Sequence, residues 1–127
     1  MAILIVDDDE AISEFLQIAL QDEGYGTVVA PNGAVALQHV RNMSNIELII
    51  LDMRMPVMDG ATFLDHYHNI PGRHAPVIAI SAHSQSLERP SGYVVAFLPK
   101  PFELDELLRI VRKNTSPPMA PLARAEL

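Results

Sequence analysis

Five short apolar runs punctuate the chain, at positions 2–6, 27–30, 48–51, 77–80 and 93–98. Each is rich in Ile, Val or Leu and shows little alternation, the pattern of strands buried on both faces of a parallel sheet. The segments between them carry helical periodicity instead. Ile12, Phe15, Leu16, Ala19 and Leu20 fall at i, i+3, i+4, i+7 and i+8, a stripe opened by acids and stopped at Gly24. Ala36, Val40 and Met43 make a thinner stripe after Pro31-Asn32-Gly33. Phe63, Leu64, Tyr67 and Ile70 predict a third helix ended by Pro71-Gly72. Leu104, Leu107, Leu108 and Val111 predict the last one, with Arg109, Arg112 and Lys113 near its negative end.

The order is βαβαβαβ, an irregular stretch, then βα. Right-handed crossovers turn such a series into an α/β fold, a doubly wound five-stranded parallel sheet with helices on both faces. The irregular stretch contains HSQSLERPSG, in which Leu87 is the sole large aliphatic residue and Pro90 breaks a helix. At most a turn or two of helix is expected there, between His83 and Arg89. From Thr115 onward three prolines fall in thirteen residues, which reads as a tail or linker. The expected organisation is one domain over 1–114 and a Pro/Ala-rich tail over 115–127.

Composition narrows the function. At 127 residues and 14.0 kDa the chain fits one ordinary domain. Nine basic residues against sixteen acidic ones leave a formal charge of −7, which argues against nucleic acid or an anionic membrane as direct partner. With no cysteine, disulfide scaffolds, thiol chemistry and cysteine-ligated zinc are excluded. No apolar run is long enough for a membrane span, and the apolar start lacks the basic region of a signal peptide, so a cytoplasmic domain is expected.

Ligands of open α/β sheets sit outside the carboxyl ends of the strands. After the first run come Asp7, Asp8, Asp9 and Glu10; after the third, Asp52; after the fourth, Ser81; after the fifth, Lys100. Crowded carboxylates repel one another, and a hard divalent cation such as Mg²⁺ relieves the repulsion through oxygen ligands. Asp9 and Glu10 are explained by capping of the first helix. On residues alone the acidic run is balanced between capping and metal binding, although capping does not account for Asp52. Asp59-Gly60 reads as the turn into the third helix. The five histidines show no ligand spacing and read as solvated surface residues.

Four blocks, ILIVDDDE, LIILDMRMPVMDG, PVIAISAHS and FLPKPF, together resemble the receiver domain of two-component response regulators over roughly residues 2–114. The resemblance implies a flavodoxin-like strand order 2-1-3-4-5 and a phosphorylation-dependent switch. Asp52 is then the phosphoacceptor, served by a histidine kinase or a histidine phosphotransfer protein. Asp7, Asp8 and Asp52, with the backbone carbonyl of Arg54, are implied to hold Mg²⁺. Ser81 and Lys100 match the hydroxyl and ammonium that meet the phosphoryl group, with Lys100-Pro101 cis. Phe97 matches the aromatic residue that moves on activation, as Ser81 matches its hydroxyl partner in the switch. Arg54 and His83 occupy the positions that border the hydrolytic water and tune the lifetime.

Such a domain catalyses only its own phosphorylation and dephosphorylation and is not an enzyme acting on other molecules. A downstream protein or a missing output domain would receive the signal. The shortened fourth helix makes a monomer or a non-standard dimer the expectation. The rivals are an aspartyl phosphatase, which resembles D-x-D-x-T rather than DDDE after the first strand, a flavin module, whose phosphate four acids would repel, and a receiver that signals without phosphorylation.

Overall fold

A computed structural model describes residues 2–55, 57–81 and 92–116. The elements run β1 (Ala2–Val6), α1 (Glu10–Asp22), β2 (Gly26–Ala30), α2 (Gly33–Asn42), β3 (Ile46–Asp52), α3 (Gly60–His68), β4 (Val77–Ser81), β5 (Val94–Pro99) and α4 (Leu104–Asn114). All five strands are parallel, in the order β2-β1-β3-β4-β5. The doubly wound sheet expected from the apolar runs is therefore present, each run lying in its strand to within a residue or two. His83 and the stretch expected to hold a shortened fourth helix lie outside the described residues, as does the tail from 117 onward.

Alternation along each central strand splits the core in two. Ile3 and Ile5 of β1, Leu48 and Ile50 of β3, and Ile78 and Ile80 of β4 face α1 and α4, where they meet Leu16, Leu20, Leu107 and Val111. Leu4, Val6, Ile49, Leu51, Val77 and Ala79 face the other way, onto Ala36 and Leu37 of α2 and Phe63 and Tyr67 of α3. The central strands β1, β3 and β4 are buried almost throughout, whereas the edge strands β2 and β5 are only partly covered. Each fully buried Leu or Ile contributes about 1.5–3 kcal/mol, so the two layers hold the sheet firmly enough to carry charged groups at its edge.

Helix starts follow the short polar residues. The Asp9 carboxylate accepts from Ala11 N at 2.9 Å and Ile12 N at 3.3 Å, Asn32 from Val35 N at 3.0 Å, and Asp59 from Thr62 N at 2.9 Å. The Thr62 N–H holds the Asp59 carboxyl below its ordinary value. Gly60 opens α3 beneath Met53, where a Cβ would stand 2.7 Å from the Met53 Cα, so no larger residue fits without moving the chain.

Two expectations from the sequence are corrected. Phe15 is 52% exposed rather than part of the buried stripe of α1, and Ser13 is buried in its place. The sheet covers only the narrow arc centred on Leu16 and Leu20, and the Ser13 hydroxyl is accommodated there by the Asp7 carbonyl at 3.5 Å. His74 is not a solvated surface residue. Its Nε2 lies 2.8 Å from the Tyr67 carbonyl and its ring stacks on Tyr93 with centroids 4.2 Å apart. Tyr67 donates its hydroxyl to Ala75 O at 2.8 Å, which closes this aromatic group beneath β4. His66 and His68 are exposed, as expected. Among the described residues no helix is long and apolar enough to cross a membrane.

Candidate functional site

Backbone register brings the four strand ends to one edge. Asp7 N donates to Ala30 O at 3.1 Å, and Met53 N to Ile80 O at 2.9 Å. Asp52 is paired with Ile80 in the ladder, so Ser81 follows at the same edge. Lys100 N then donates to Ser81 O at 2.7 Å, which ties the fifth strand end to the fourth. Residues distant in sequence therefore converge through strand pairing rather than through loop contacts.

The acidic centre consists of Asp7, Asp8 and Asp52, each offering a carboxylate oxygen, all within 4.8 Å of one another. Asp7 and Asp52 are 4% and 5% exposed, while Asp8 faces solvent. Each buried carboxylate receives one main-chain donor two residues ahead: Asp9 N reaches Asp7 Oδ1 at 2.9 Å and Arg54 N reaches Asp52 Oδ1 at 3.0 Å. Lys100 Nζ stands 3.5 Å from Asp52 Oδ2 and 3.9 Å from Asp7 Oδ2. Charge-assisted hydrogen bonds are usually about 2.7–2.9 Å, so this ammonium offsets part of the pair's charge without closing tightly on either oxygen. Burial pushes the Asp7 carboxyl up to about 6, with Asp52 and Asp8 adding to the rise and the Asp9 N–H and Lys100 opposing it.

Three carboxylates against one ammonium leave an excess of negative charge among oxygen-only donors. That donor set fits a hard divalent cation such as Mg²⁺, and the exposed position of Asp8 gives such an ion access from solvent. Asp9 and Glu10 serve the start of α1, and Asp7 and Asp8 face Asp52.

The remaining expected residues are placed as follows. Ser81 is 1% exposed at the end of β4. Phe97, opposite Ala79 in the ladder, is half-buried against the α2–α3 side of the core. The Lys100-Pro101 peptide is cis. The Arg54 side chain is exposed beside an open cavity of about 360 Å³ that Met53, Met55 and Asp59 also line. Sequence reasoning passed over Ser13, whose hydroxyl reaches the Asp7 main chain; a serine amid the apolar positions of α1 was the available signal.

A family profile described as "Response regulator receiver domain" matches residues 3–112. Response regulator MprA of Mycobacterium sp. (strain KMS) is 34% identical over 125 residues, covering 94% of this chain and 54% of that protein. Transcriptional regulatory protein DltR of Streptococcus agalactiae serotype III (strain NEM316) is 31% identical over 118 residues, covering 91% of this chain and 52% of that protein. The chain thus spans about half the length of these relatives. Among solved structures, response regulator protein TrrA from Thermotoga maritima, in complex with Mg(2+)-BeF, superposes with a TM-score of 0.77 at 32% identity, covering 90% of this chain and 98% of that one. A CheY-like receiver domain from Methylobacillus flagellatus has a TM-score of 0.80 at 20% identity, with 91% and 98% coverage, and speaks to the fold alone.

Proposed function

Because the chain belongs to the response regulator receiver domain family, we propose that it is a signalling switch that takes a phosphoryl group onto Asp52 from a phosphohistidine of a kinase or phosphotransfer protein. The observation that carries this reading is the position of Asp52, buried at the end of β3 beside both the Lys100 ammonium and the Asp7–Asp8 pair. In the transfer, an Asp52 oxygen forms the new P–O bond while the donor's P–N bond breaks and its electron pair returns to the imidazole.

Asp7, Asp8 and Asp52, with the Arg54 carbonyl, would hold Mg²⁺, whose charge offsets that of the transferring oxygens. The Arg54 N–H fixes the Asp52 carboxylate in orientation, and Lys100 shifts its partnership from carboxylate to phosphoryl oxygen. Ser81 at the neighbouring strand end supplies a hydroxyl for the same group. Such contacts exist only in the phosphorylated state and so bias a conformational equilibrium, with Phe97 as the aromatic reporter. The protein then acts on no substrate other than its own acyl phosphate, whose loss Arg54 and His83 slow. It works in the cytoplasm as a monomer or a non-standard dimer, passing the signal to a downstream protein or an output domain.

Incubation with Mg²⁺ and acetyl phosphate, followed by intact mass, tests the assignment. The parent should gain one phosphoryl group and Asp52→Asn none. Equal labelling of the two would overturn the role of Asp52.

A further inference from the structure

The loop that follows Asp52 contains three of the six methionines in the chain, Met53, Met55 and Met58, and the chain has no cysteine. All three are half-buried against the α2–α3 side of the core, at its end nearest the acidic site. Met53 and Met55 also line the open cavity of about 360 Å³ beside Arg54, so solutes in water reach this group. Two of the sulfurs are wedged against helix starts. A Cβ on Gly60 would stand 2.7 Å from Met53 Sδ, and one on Gly33 would stand 2.9 Å from Met58 Cγ and 3.0 Å from its Sδ. The two thioethers therefore lie in close contact with the glycines that open α2 and α3.

The same loop carries the groups that orient the acceptor. Arg54 N holds Asp52 Oδ1 at 3.0 Å, and Gly60 N closes the loop onto Met53 O at 3.2 Å. Val57 within it has φ of 69°, a left-handed conformation that a β-branched residue adopts only under constraint from its surroundings. Beside these two hydrogen bonds, the methionines pack the loop onto the α2–α3 side of the core.

We infer that Met53, Met55 and Met58 form an oxidative modification site, at which a hydroperoxide converts the thioethers to sulfoxides and thereby lowers phosphoryl uptake at Asp52. In each event a sulfur lone pair attacks one peroxide oxygen, an S–O bond forms and the O–O bond breaks. The departing oxygen takes the proton released by the oxygen that stays on sulfur and leaves as water from hydrogen peroxide, or as an alcohol from an organic hydroperoxide, so sulfur loses two electrons and the peroxide gains them. The product is a polar group with a strong acceptor oxygen, which disfavours the apolar packing of these side chains against the α2–α3 side of the core and so loosens the loop. The functional half of this inference rests on the role of Asp52 proposed above, whereas the structural half does not.

The test uses the full chain treated with hydrogen peroxide, with sulfoxides located by peptide mass. Amide exchange at Arg54 and Gly60 reads the loop, and Mg²⁺-dependent labelling by acetyl phosphate reads the acceptor. Oxidation should accelerate exchange at both amides and reduce the labelling rate on the order of tenfold, a change that small displacements of reacting groups produce. Methionine sulfoxide reductase should restore both. The triple variant Met53→Leu/Met55→Leu/Met58→Leu, conservative in volume, should label and exchange as the parent does and ignore peroxide. Unchanged exchange and labelling with all three sulfoxides present would overturn the inference, as would equal peroxide sensitivity in the triple variant. An untreated parent that fails to label would instead overturn the role of Asp52, and the exchange measurement would still decide whether the thioethers hold the loop.

Discussion

Asp7→Asn measures what the unneutralised acidic site costs the fold. The Asp7 carboxyl rises from 3.8 to about 6, chiefly because burial disfavours its charged form. Between those values the native protein binds more protons than the unfolded chain. Stability of the metal-free parent therefore falls as pH rises from about 4 to about 6, and the loss is complete above that window. At 1.36 kcal/mol per pH unit the rise corresponds to roughly 3 kcal/mol at pH 8. This net cost already contains the attraction of Lys100 at 3.9 Å and the repulsion from Asp52 and Asp8. Asparagine keeps an Oδ1 to accept the Asp9 N–H now bound at 2.9 Å, and it carries no charge. Metal-free Asp7→Asn should thus be more stable than the parent by about 2–3 kcal/mol at pH 8 and by almost nothing near pH 4. At about 3–4 °C per kcal/mol for a domain of this size, the gain in Tm is about 6–12 °C. Thermal melts in EDTA across pH 4–8 provide the assay, and the difference between parent and variant cancels the other titrating groups. Added Mg²⁺ should stabilise the parent and leave the variant unmoved. If the variant is no more stable at pH 8, or the difference does not grow between pH 4 and 6, burial of Asp7 is not the cost described.

Asp8→Ala should lose Mg²⁺ uptake in a calorimetric titration while its metal-free melting temperature stays level or rises, since one member of a repelling group is gone; a clear drop contradicts the repulsion argument. Arg54→Ala and His83→Ala should each shorten the life of the phosphorylated protein, followed by mass after removal of the donor, and unchanged decay in both rejects shielding. Val57→Gly relieves a φ of 69° at a residue 84% exposed and should raise urea stability by roughly 0.5–1 kcal/mol, the left-handed penalty less the entropy of glycine. A destabilised Val57→Gly would show that the valine side chain does more than tolerate its conformation.

The alternation of β1, with Ile3 and Ile5 turned one way and Leu4 and Val6 the other, is imposed by the chain's own period of two. So are the caps at Asp9, Asn32 and Asp59, because a short polar side chain reaches amides only two or three residues ahead. Local rules of this kind make strands, helix starts and the list of strand-end residues legible from sequence. Periodicity alone assigned Phe15 to the core because a stripe does not state how wide an arc the sheet will cover. His74 was misread for a related reason: its partners, the Tyr67 carbonyl and the Tyr93 ring, lie seven and nineteen residues away and meet it only after α3 and β5 have docked. The chemistry of the acidic site belongs to the same class. Capping accounts for Asp9 and Glu10 from the sequence alone, but nothing local states how close Asp7 and Asp8 come to Asp52. That proximity comes from the β1–β3 register, which sets Asp7 and Asp8 beside Asp52, and from the β4–β5 ladder, which delivers Lys100 to 3.5 Å from it. Residue types are local properties of the chain, but desolvation and charge pairing depend on distances across the sheet, and only packing creates those.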